Sequence, residues 1–160
     1  MEKLSLYFAH PVNVFNTKLE KEMIDLIQVS FGDAFKIENP NQKHHQENYK
    51  KWKEAWGNGM RYYFEIVLPQ CYGCISMSFL DGKWGMGVAG EAEFYLKKNS
   101  PNWLIDVTKK NKVIRSLTPG EKKMVSEFNP KLVLSIEKTR EYTWEVLYKV
   151  FKPYEKAHLV

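Results

Sequence analysis

The sequence predicts an α/β domain: a mainly parallel sheet with helices on both faces, three layers in all. Three observations predict it. Segments of strand character alternate with segments of helical spacing, as parallel crossover units require. The first strand ends in an apolar run, the pattern of a strand buried on both faces. The 160 residues suit one domain with a full core, and no repeat, low-complexity segment or linker divides them.

Each element has its own reason. "KLSLYFA" (Lys3 to Ala9) alternates and then runs apolar, giving the first strand. Thr17 is placed to cap a helix from Lys18 to Phe31, where Leu19, Met23, Leu26, Ile27 and Phe31 recur at helical spacing and Gly32-Asp33 ends the run. "AFKIENP" is a short second strand closed by Asn39-Pro40. A polar loop then leads to an exposed helix from about Gln46 to Trp56, broken by Gly57-Asn58-Gly59. "MRYYFEIVLPQ" reads as a helix, "GCISMSF" as the third strand, "GEAEFYLKK" as a helix and "WLIDV" as the fourth strand. A short strand from Lys112 to Leu117 and a loop follow, and Ser135 is placed to cap a last helix through Phe151.

Composition narrows the function. Hydrophobic residues are 44%, charged residues 27%, and the net charge is +5. No apolar run approaches a membrane span, and the first residues carry no long apolar stretch, so the expected location is cytoplasmic. The lysines are scattered beside acids and read as solvated faces rather than a nucleic-acid surface; the charge suits a small anionic substrate. Cys71 and Cys74 form a lone C-x-x-C without a second pair to complete a zinc site, and a strand rather than a helix follows them. They read as reduced, buried thiols. His44 and His45 are adjacent, about 100° apart on a helix, a spacing that rarely shares an ion; no metal and no organic cofactor is expected.

The most informative stretch is "GMGVAGE", Gly85 to Glu91. It spells G-x-G-x-x-G, and Asp106 lies about where a dinucleotide fingerprint wants a ribose-binding acid. Against that reading, "LDGKW" separates the glycines from their strand, and the fingerprint belongs after the first strand. The other reading puts the chemistry on Glu91. Loops after the first and third strands lie at the ligand-binding edge of such a sheet. A carboxylate at a helix start is kept anionic by the helix dipole, as a nucleophile must be. Asp81 on the same loop offers a second carboxylate, and paired carboxylates cleave glycosidic bonds.

With "Tyr7-Phe8-Ala9-His10-Pro11" at the end of the first strand and "Gly87-Val88-Ala89-Gly90-Glu91" at a helix start, the chain resembles the nucleoside 2-deoxyribosyltransferase superfamily, including its nucleoside and nucleotide N-glycoside hydrolase branch. The resemblance spans roughly residues 3 to 107. It implies a flavodoxin-like, Rossmann-like sandwich, Glu91 as nucleophile and Tyr7 as the residue that orients it. It also implies a homodimer or larger assembly, because relatives complete the pocket with a neighbouring subunit. His10 stands where the family has glycine and offers a proton donor. The family's aspartate before the Gly-x-Ala-x-Glu pattern has Asp81 as its nearest counterpart, and Glu65 is a further acid without a firm alignment.

The expected catalytic residues are therefore Glu91, Tyr7 and Asp81, with His10, Asn13, Trp84, Gly85 and Gly87 binding substrate. Trp84 offers either a stacking face for a base or a buried anchor for its loop. Asn13, Asn16 and Lys18 flank a helix start suited to a 5′-phosphate. The expected activity is hydrolysis or transfer at the N-glycosidic bond of a nucleoside or nucleoside monophosphate. A non-catalytic nucleotide sensor and a dinucleotide enzyme remain as alternatives.

Overall fold

The computed structural model describes residues 3–144. Five strands form one sheet: β1 (Leu4–Ala9), β2 (Phe35–Glu38), β3 (Gly73–Met77), β4 (Asn102–Asp106) and β5 (Val113–Ser116). Their order is β2-β1-β3-β4-β5, parallel except for β5, which runs antiparallel to β4. The helices are α1 (Lys18–Phe31), α2 (Lys43–Trp56), α3 (Met60–Tyr62), α4 (Met86–Leu96), α5 (Pro119–Ser126) and α6 (Ile136–Trp144). This is the mainly parallel α/β sandwich that the alternation predicts, and it is consistent with the Rossmann/flavodoxin-like fold that the resemblance implies. No helix among the described residues is long and apolar enough to cross a membrane.

The period-2 pattern of β1 divides the core. Leu6 and Phe8 pack with Leu19, Met23 and Ile27 of α1 on one face. Tyr7 and Ala9 pack with Val88, Ala89, Ala92 and Tyr95 of α4 on the other. All five residues of β3 are buried, as expected of a central strand covered on both sides. Order reverses between β1 and β3: the chain leaves β1 toward β2 on one side, and β3 continues on the other. The crevice at the carboxyl ends of these two strands is where such folds bind ligands.

Several boundaries differ from the sequence reading. α2 begins at Lys43 rather than near Gln46. The helix from Met60 winds through a π-helical stretch at Tyr63–Val67 and ends in a 3-10 turn at Leu68–Gln70, where Pro69 lacks the N–H to continue. α4 begins at Met86, not Gly90, so Gly87 and Gly90 lie inside the helix. The stretch after β5, read as a loop, holds α5. Its signal was present: Thr118 and Glu121 form a capping box, with Pro119 in the first turn. Ser135 accepts from the Lys138 amide at 3.1 Å, the bond of an N-cap. Residues 145–151 of the expected last helix, with Val146, Leu147 and Val150, lie outside the described residues.

Candidate active site

The Tyr7 hydroxyl donates a hydrogen bond to Glu91 Oε2, across 84 residues of sequence. Two elements set this contact. Tyr7 points from β1 toward α4, two residues before the strand ends at the crevice. Glu91 lies on the second turn of α4, whose small residues Ala89 and Ala92 let the helix lie close on the sheet. Tyr7 is 1% exposed and Glu91 7%.

Burial sets the electrostatics. It raises the Glu91 carboxyl from its ordinary 4.5 to about 7, against the opposing effect of the Tyr7 hydrogen bond. Burial, and then the Glu91 charge, hold Tyr7 well above the usual phenol range, so Tyr7 stays a donor. The expected reason for an anionic Glu91 is thereby corrected. Glu91 is the sixth residue of α4, beyond the first turn where the helix dipole acts. It titrates near neutrality because it is desolvated.

Tyr63 packs against this pair and escaped the sequence reading. Its ring lies 6.4 Å from that of Tyr7, edge-on, and its hydroxyl is raised by burial and then by the Glu91 charge. The π-helical turn brings Tyr62 and Tyr63 both inward, which a regular helical period does not indicate. Cys74 pairs with Tyr7 across the strands and is fully buried. Burial raises its thiol, and raises that of Cys71 to about 11, so both cysteines are thiols without thiolate reactivity.

The other expected site residues have partners of their own. Asp81 sits on an exposed turn: its carboxylate accepts from the Lys83 amide at 3.0 Å and from the Tyr142 hydroxyl at 2.8 Å. That side chain ties the loop to α6. His10 is 5% exposed, with Nε2 at 2.8 Å from Glu20 Oε2 and Nδ1 at 2.9 Å from the Phe8 carbonyl. Its ring stacks on Phe8. Glu20 also accepts from the Asn16 amide and the Asn41 side chain, so its own carboxylate occupies the seat expected for a phosphate. Thr17 caps α1 as expected. Asn13 donates to the Tyr142 carbonyl at 3.4 Å and leaves its Oδ1 buried without a partner. Glu65 faces outward and pairs with Arg61.

Trp84 is the anchor of its loop. Its ring is 1% exposed, leaving no face for a base. Its amide donates to the Leu132 carbonyl at 2.9 Å, and its carbonyl accepts from the Leu134 amide at 2.8 Å, in a parallel bridge with Val133. Gly85 is the N-cap of α4. The first amide of the helix, Met86, donates to Thr139 Oγ1 at 2.9 Å, so α6 engages a donor that a dinucleotide pyrophosphate would need. β3 ends at Met77, well before the glycines, and Asp106 bonds to Thr108.

Gly87 is different. A Cβ there would meet nothing within 4 Å, and Gly87 lies one turn before Glu91 on the same helical face. Gly87 is exposed, so its open side faces solvent. Gly87→Ala is expected to stabilise the protein by up to about 0.5 kcal/mol, the low end of what glycine costs in a helix interior, because Gly87 lies in the first turn of α4. Denaturant unfolding checks it; destabilisation instead would mean that the position is packed.

Set against known proteins, the chain matches no family model, no curated protein and no solved structure.

Proposed function

We propose that the protein cleaves or exchanges the N-glycosidic bond of a nucleoside or nucleoside monophosphate through Glu91. One observation carries the reading: a buried carboxylate on α4 is held by the hydroxyl of Tyr7, two residues before β1 ends. It is the pairing that the resemblance to the deoxyribosyltransferase superfamily implies. In this reading Glu91 attacks C1′ of the sugar. The bond to the base breaks, and the base leaves with the bonding electrons and takes a proton. Asp81 and His10 are committed to Tyr142 and Glu20, so water supplies that proton. Water, or a second base, then attacks C1′ and restores the carboxylate. In this reading the sugar approaches over the exposed backbone at Gly87, where a Cβ would meet nothing within 4 Å. A homodimer or larger assembly, with a neighbour closing the pocket, belongs to the same proposal.

The test is incubation of the purified protein with ribo- and deoxyribonucleosides and their monophosphates, with and without an acceptor base, reading free or exchanged base by chromatography. Base release or exchange supports the reading. No reaction across the panel would overturn it.

The low exposure of Glu91 favours a second reading, nucleotide binding without turnover. It predicts binding by calorimetry, no base release, and binding that persists in Glu91→Ala.

A further inference from the structure

We propose that Glu38, His44 and His45 form a binding site for a divalent transition-metal ion of the zinc class. Glu38 ends β2, and the chain turns back so that α2 begins beside it. The adjacent histidines converge despite their angular offset on the helix: their ring centroids are 4.0 Å apart at a tilt of 39°. One ligand atom from each of the three residues lies within 4.8 Å of the other two. Two imidazoles and a carboxylate suit Zn²⁺, Co²⁺, Ni²⁺ or Cu²⁺, whereas Mg²⁺ and Ca²⁺ prefer all-oxygen shells. Three protein ligands leave a further position for water, and His44, which is exposed, gives the ion a way in.

The surroundings fit a metal-bound imidazole. His45 is buried, and its Nδ1 lies 2.6 Å from the Tyr62 hydroxyl, which also accepts from Asn48 Nδ2. A ligating histidine needs such an outer partner to fix its ring and tautomer. Without an ion, Nε2 pairs with the Glu38 carboxylate. With one, Nε2 presents its lone pair to the metal and the ring carries its proton on Nδ1, donating to Tyr62.

His44 separates this site from a purely structural network. The hydrogen-bonded chain Glu38–His45–Tyr62 has no use for His44, whereas the ion does. The site is independent of the reading of Glu91, although Glu38 pairs with Tyr7 across the strands. The test uses the full chain stripped with a chelator and dialysed. Zn²⁺ is added and measured by equilibrium dialysis, Co²⁺ by its visible absorption. The expected result is one equivalent per chain and a raised Tm, with both lost in His44→Ala and kept in Lys43→Ala. His44 is exposed and outside the buried network, so its variant folds. No bound equivalent in the wild type, or binding by His44→Ala equal to the wild type, would overturn the proposal.

Discussion

Glu91→Gln is expected to abolish base release, by at least about 10³-fold, the order of loss when a nucleophile is removed. Glutamine keeps the volume of the side chain and an oxygen that accepts from Tyr7, so the pocket stays filled and hydrogen-bonded. Only the attacking carboxylate is lost. The wild-type pH profile follows from the same carboxyl. Burial places its titration at about 7, and only the anion attacks. The second-order rate constant should therefore climb about tenfold per pH unit below 7 and level off above it. A Glu91→Gln protein that released base at the wild-type rate would remove Glu91 from the mechanism. A flat profile from pH 5 to 8 would contradict its desolvated setting.

The second large effect is on stability. In the unfolded chain the Glu91 carboxyl titrates at its ordinary 4.5, and in the folded protein at about 7. Between those values the folded state binds more protons than the unfolded one, so raising the pH favours unfolding. Below about pH 4.5 both states are protonated and nothing is lost. Above about pH 7 the folded protein holds a buried anion, at a cost of order 3 kcal/mol. Glu91→Gln carries no such cost. Its stability relative to wild type should grow from near zero at pH 4.5 to of order 3 kcal/mol at pH 8, a Tm gap of several degrees. Taking the difference between the two proteins cancels every other group that titrates in this window. Parallel unfolding curves across the whole range would show that Glu91 is solvated.

On the proposed function, the expected combination of higher stability and lost base release in Glu91→Gln has a simple physical origin. A carboxylate ready to attack carbon must be poorly solvated, and poor solvation raises the free energy of the folded protein. Tyr7 offsets part of that cost with one charge-assisted hydrogen bond. Its own burial keeps the phenol from surrendering the proton.

The sequence was most legible where a local pattern carries its own physics. The apolar end of β1, the spacing of α1 and the Thr17 cap are short-range facts, and they appear in the structure where the pattern put them. The alternation of strands and helices determined the class of fold, because parallel strands need crossovers and crossovers put helices on the faces. The capping box at Thr118 was equally local, yet the helix behind it is only eight residues long and too short for periodicity to show.

The candidate site was legible only in part. "Tyr7-Phe8-Ala9" and "Gly87-Val88-Ala89-Gly90-Glu91" brought forward two residues that the fold does join. Composition gave no hint that Asp81 turns to Tyr142, that His10 is consumed by Glu20, or that Trp84 is clamped to residues 132–134. Each of these is a contact between residues far apart in the chain or packed across layers. A side chain's partner depends on which neighbour desolvates it, and no pattern within its own segment encodes that.

By itself, then, the sequence determined the α/β class and most of the element positions, and the resemblance carried by two short motifs brought forward Tyr7 and Glu91. Those depend on backbone propensity, periodicity and short motifs, all of them local. Only the tertiary structure decided the protonation of Glu91, the role of Trp84 as anchor, the convergence of His44 and His45 on Glu38, and the docking of the chain after residue 128 onto the β3–α4 loop. Burial and electrostatic coupling act through space, and they take their values only once the layers have packed.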